Sequence, residues 1–180
     1  MKSIYALLLL VALVTTATPS SGRQRPTNDP GYIDTATIEA VFQSEATLEV
    51  NLSGALLRMV AEAARDDDRG LYELLGKIKG IYVRGYTLSD TDAQAIGTRF
   101  SDIAGRLVQD GWERVVRVRD SEETVHVLVR VLEDRIDGLA VLVASAGENE
   151  TVFVNIVGEI RPDEIARIGR RFQIDVLEDL

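Results

Sequence analysis

The sequence predicts an α+β domain in which helices pack on one face of a mostly antiparallel sheet, a two-layer sandwich. Three observations predict it. Four segments of alternating, β-branched character follow one another at residues 112–120, 124–133, 139–146 and 151–160. The links between them span three to five residues, which allows only hairpins and so an antiparallel meander. Ahead of them, Ile96, Phe100, Ile103, Ala104 and Leu107 recur at helical spacing across residues 92–109.

Taken in order, the chain opens with Met1, Lys2 and Ser3, an apolar run over residues 4–14, and then small residues with Pro19. A short basic start, an apolar stretch and a small-residue tail predict a cleavable export signal over residues 1–21. Eleven apolar residues fall short of the ~20 that a membrane-spanning helix needs. The alternative of an uncleaved anchor lacks a following stop-transfer pattern. Residues 22–31 are polar, with two prolines and two glycines, and predict a flexible tether. Residues 32–180 then form a single α+β domain.

Within that domain, Ile38, Val41 and Phe42 suit a short amphipathic helix, and Leu48, Val50 and Leu52 alternate as a strand. Ser53 is placed to cap a helix carrying Leu56, Leu57, Val60, Ala61 and Ala64. Asp68 is placed to cap a second helical piece over residues 69–77, and residues 81–86 read as a strand. Gly111 stops the long helix. Pro162, followed by Asp163 and Glu164, opens a last helix to about Phe172, and the end is short and acidic.

Composition excludes several functions. There is no cysteine, which removes disulfides, thiolate nucleophiles, cysteine-bound metals and lipid attachment to an N-terminal cysteine. The formal net charge is -9, and loss of Lys2 with the signal makes the domain more acidic still. Such a domain is repelled by phosphate backbones and anionic lipid headgroups, so no nucleic-acid partner is expected. No other apolar run reaches spanning length, so no integral membrane segment is expected after cleavage, and the location is extracytoplasmic.

No residues form a catalytic signature. His126 is the only histidine and sits between Val125 and Val127 in a strand, so it reads as a solvent-facing strand histidine. The run Asp66-Asp67-Asp68 lacks a correctly spaced bidentate glutamate for calcium and reads as a helix break. Glu148 and Glu150 are acids in a turn. Sequons at Asn51 and Asn149 are patterns frequent by chance. Neither a phosphate-binding loop nor a Gly-x-Ser-x-Gly elbow is present. No catalytic residue, cofactor or metal ligand is therefore expected.

One feature suggests binding. With Trp112, Val116, Val118 and the valines of the following strands turned inward, the opposite sheet face carries Tyr82, Arg84, Arg117, His126, Arg130 and Phe153. Arginine and aromatic residues are enriched in interfaces, and an apolar patch on a soluble chain marks a binding site. That face is a candidate interaction surface for an envelope protein or for a second copy of the chain. Two structural alternatives stand beside it: residues 32–44 cover the face, or its apolar residues are scattered and idle. A rival class is a small extracytoplasmic hydrolase using carboxylates with His126, and a third is a self-associating structural module.

Residues 71–168 carry a family resemblance. The segments LYELLGKIKGIYV, GWERVVRVRDSEETVHVLVR and LAVLVASAGENETVFVNIVGEI resemble the bacterial exported domain-of-unknown-function family forty-two fifty-two. The motifs are structural patterns, not active-site signatures. The resemblance implies an exported small α+β domain linked to envelope sigma-factor regulation. Many members look like lipoproteins; this chain, without cysteine, departs there. No catalytic or binding residue carries over.

Overall fold

Alternation and helical spacing translate directly into elements. The computed structural model describes residues 28–42, 45–66, 68–87, 93–120, 123–147 and 149–161. The expected signal, most of the expected tether, the helix from Pro162 and the acidic end lie outside the described residues. The described elements are α1 (Thr35–Glu39), β1 (Leu48–Ser53), α2 (Gly54–Ala64), α3 (Arg69–Leu75), β2 (Ile78–Thr87), α4 (Ala93–Gln109), β3 (Glu113–Arg119), β4 (Glu123–Leu132), β5 (Arg135–Ser145) and β6 (Glu150–Ile160). At the start of α3 capping follows the sequence, the Asp68 carboxylate accepting the Leu71 N–H at 3.1 Å, whereas Ser53 stands at the N-cap of α2 without a side-chain capping hydrogen bond. Gly111, at φ 89°, ends α4 in a left-handed turn that a side chain would strain.

The strands form one six-stranded antiparallel sheet in the order β1-β2-β6-β5-β4-β3, so the fold is α+β as the sequence predicts. The meander β3 to β6 is the one that the short links require. Between β2 and β3 the chain must cross four strand positions, roughly 19 Å. A helix the length of α4, 17 residues, rises about 25 Å and spans that distance. The β4–β5 turn is tighter than expected, because β5 starts at Arg135 and Glu133 takes φ 57°. Asp137 and Gly138 thus lie within β5, beside a bulge against β6.

The face beneath α4 is the opposite of the expected one. Ile96, Phe100, Ile103, Ala104 and Leu107 pack with Leu128, Ala140, Leu142, Ala144 and Phe153. Small residues on the sheet side, Ala140 and Ala144, leave room for the helix to approach. On the other face α2 and α3 occupy one corner, where Leu57, Ala61 and Leu75 meet Leu52, Ile81 and Ile156. Leu56, expected on the buried side of α2, is instead half exposed.

Beside α4, residues 28–42 strap across the same face. Ile33 and Ile38 join the α4 cluster, and the Phe42 ring stacks on Tyr86 with centroids 3.6 Å apart. Asn155, fully buried in β6, clamps the strap. Its Oδ1 accepts the Ile33 N–H at 3.0 Å, while its Nδ2 donates to the carbonyls of Gly31 at 3.0 Å and Leu139 at 3.2 Å. The strap lies so close that a Cβ on Gly138 would fall 2.5 Å from the Gly31 Cα and 2.6 Å from its carbonyl oxygen. Asp29, read as tether, pairs with Lys79 at 2.9 Å. The packed part of the chain therefore begins before residue 32, and residues 28–160 form one compact unit.

Candidate interaction surface

The covering of the α4 face settles where the six predicted surface residues stand. Tyr82, Arg84, His126 and Phe153 are all buried, so they present no free surface. The alternative in which residues 32–44 cover the face is the one observed for the described part of that segment. Tyr82 meets Tyr32 edge-on, with ring centroids 5.1 Å apart. Arg84 ties the strap to β1: its Nε donates to Glu39 Oε1 at 2.9 Å, its Nη1 to Asn51 Oδ1 at 3.0 Å, and its Nη2 lies 3.2 Å from Glu49. Phe153 lies in register between Arg84 and Leu142 at the centre of the sheet. Arg130 is half-buried and donates from Nη1 to the Asp110 carbonyl, where it neutralises the carbonyl end of α4. Arg117 alone among the six is exposed.

Burial changes the reading of His126 as well. It is 1% exposed, beneath α4, not solvent-facing. Its Nε2 lies 3.2 Å from Ser101 Oγ, and that hydroxyl donates to the Gly97 carbonyl at 2.9 Å. With the serine proton committed to Gly97, the imidazole must carry its proton on Nε2 and donate to the serine oxygen. Nδ1 is then a bare acceptor, buried and without a hydrogen-bond partner among the described residues. A base that activates serine needs the reverse direction, with a carboxylate on the far nitrogen. Burial first, and the charges of Arg114, Arg117 and Arg119 after it, lower the His126 pKa to about 4. The imidazole is thus neutral at pH 7 and holds α4 to the sheet through Ser101. Among the described residues no cluster of three or more acidic or histidine side chains could hold a metal ion.

The arginines around His126 define the surface that does remain. Strand β3 has a neighbour on one side only among the described residues, so it is an edge of the sheet. Arg114 pairs in register with Leu128, Arg117 with His126 and Arg119 with Thr124. Residues 124, 126 and 128 of β4 alternate onto one face, so the three arginines share the α4 side. In a regular strand residues 114 and 117 would face opposite ways. The register shift between Arg114 and Val116 absorbs one residue and brings them together. All three are exposed, and no ion pair involving them is found among the described residues. On the other side of the strand Val116 and Val118 are half-buried, while Val115, at the bulge, is exposed.

Sequence reasoning had placed Arg117 on one face but left out Arg114, because alternation alone cannot register a bulge. Asn155 was also passed over as a functional position. Its signal was a lone amide in an otherwise apolar strand, TVFVNIVGEI, where a buried polar group must find partners.

These features define an open-edged antiparallel α+β domain with a basic rim. The chain belongs to the family described as Domain of unknown function (DUF4252), whose model matches residues 42–168. No curated protein and no solved structure matches it.

Proposed function

We propose that this chain is an exported, non-catalytic interaction module of the bacterial cell envelope, acting beside envelope sigma-factor regulation, with the arginine rim of β3 as its recognition surface. The observation that carries the reading is the trio Arg114, Arg117 and Arg119: exposed and without ion pairs among the described residues, on a sheet edge of a chain with net charge -9. Like charges along one edge repel each other and gain from an acidic partner. Export is supported by the basic start, the apolar run over residues 4–14 and the small residues after it. The link to sigma-factor regulation rests on the family resemblance.

The test is crosslinking in the native host, with the captured proteins identified by mass spectrometry. A tagged chain is compared with the Arg114→Glu, Arg117→Glu, Arg119→Glu variant. Loss of a specific envelope partner on charge reversal supports the reading. Equal recovery of the same partners by both forms refutes it.

A further inference from the structure

The rim has a geometry as well as a charge. We infer that β3 is a strand-addition site, and that its occupant is an extended segment of a partner polypeptide with acidic residues at alternate positions. The inference rests on the interaction-module reading and names the mode of contact. An edge strand offers unpaired backbone N–H and C=O groups to a further strand. The partners of the three arginines, Leu128, His126 and Thr124, are two residues apart in β4, a repeat of roughly 7 Å along the strand. An added strand presents side chains on one face at that same repeat. Carboxylates at alternate positions would therefore meet the arginine row, while the intervening side chains would lie beside Val116 and Val118.

Charge also decides against the obvious competitor, a second copy of this chain joined β3 to β3. Antiparallel self-pairing would set arginine rows side by side, and like charges across neighbouring strands are destabilising. Edge arginines and a bulge are also common protection against unwanted pairing. That protective role predicts that nothing adds to this edge, so binding separates the two.

The experiment uses the purified full chain and two fluorescein-labelled octapeptides with blocked ends. One alternates glutamate with threonine; the other alternates glutamate with proline. Both carry the same charge, but the proline peptide loses half its backbone donors and is stiff in the polyproline conformation. Fluorescence anisotropy is expected to show the threonine peptide binding at least ten-fold tighter than the proline one. The Arg114→Gln, Arg117→Gln, Arg119→Gln variant is expected to bind the threonine peptide at least ten-fold more weakly. Amide exchange should slow within residues 113–119 when the peptide is bound. Equal binding of the two peptides overturns strand addition and leaves an unspecific basic rim, with the interaction-module reading intact. No binding of either peptide overturns the inference, and if the parent chain and its charge-reversed variant also recover the same crosslinked partners equally, the reading beneath it falls too. A dimer seen by light scattering that the same variant does not disrupt points to a different surface; one made tighter by the variant shows that β3 pairs with itself and overturns the choice of occupant.

Discussion

Replacing Asn155 by alanine removes three hydrogen bonds at once from a fully buried position. The Ile33 N–H and the Gly31 carbonyl lose the only partner the clamp gives them, and each costs about 1–3 kcal/mol if it stays dry. Leu139 loses a contact as well, while a water entering the vacated space recovers part of the total. The expected loss is about 2–5 kcal/mol, a large share of the ~5–15 kcal/mol of a small domain. With a urea slope of about 2 kcal/mol per molar, the midpoint falls by about 1–2.5 M. Trp112 is the natural reporter: it is the only tryptophan, it is buried, and a Cβ on Gly138 would fall 2.8 Å from its ring, so it stands at the strap contact. The Asn155→Asp variant sharpens the argument. Its carboxyl would face two carbonyl oxygens, which raises its folded-state pKa above the unfolded value near 3.9. Between those two values the native state binds more protons, so this variant loses stability as pH rises and regains it in acid. Urea titrations followed by Trp112 emission, with amide exchange at residues 31–33, read both effects. A midpoint for Asn155→Ala within about 0.2 M of the parent chain, with exchange at Ile33 unchanged, would refute the clamp.

Other consequences follow from the same packing. His126, with its pKa lowered to about 4, is neutral in the fold at pH values where an unfolded histidine is charged. The unfolded state then binds more protons between about pH 4 and 6.5, so this group makes stability fall as pH drops through that window, by about 3 kcal/mol in all. His126→Gln, compared with the parent chain, is expected to flatten that part of the pH profile; an unchanged profile contradicts the assignment. Gly138→Ala drives a methyl group into Gly31 and Trp112, and should raise exchange at residues 29–33 and cost about 2 kcal/mol or more. Arg84→Met leaves Glu39 and Glu49 without their shared cation but both half exposed. A loss of about 1–3 kcal/mol in a thermal melt is expected, smaller than for a fully buried pair.

Periodicity made most of the elements legible. The five apolar positions assigned to α4 from their spacing are all buried, and the strands β3, β4 and β6 lie where alternation places them, while β5 starts earlier, at Arg135. What periodicity could not reveal is which face of the sheet α4 covers. Both faces of β4, β5 and β6 are apolar: Val125, Val127, Val141, Val143 and Val154 on one, Leu128, Ala140, Leu142, Ala144 and Phe153 on the other. Alternation identifies two sets without saying which set meets a helix. Side-chain size carried the missing information, because small Ala140 and Ala144 sit where α4 needs room. The same ambiguity made four buried residues look like an open surface. Arg84 and Asn155 resemble surface residues by type, yet each is buried with its polar atoms bonded to the strap and to neighbouring strands.

The shift from sheet face to sheet edge alters the energetics expected of binding. On a flat apolar face, affinity would come from buried area and depend weakly on salt. On the β3 rim each arginine is exposed, so one ion pair contributes about 0–1 kcal/mol and is screened by salt. Three such pairs cannot supply tight binding; they set register and speed the encounter. Affinity on this edge must come mainly from backbone pairing and from the side chains beside Val116 and Val118. Raising salt from 0.05 to 0.5 M should therefore slow association of the glutamate–threonine peptide by about ten-fold or more while changing its dissociation much less. Stopped-flow anisotropy separates the two rates. If salt acted chiefly on dissociation, the arginines would be the main source of affinity, and this division between charge and backbone would be wrong.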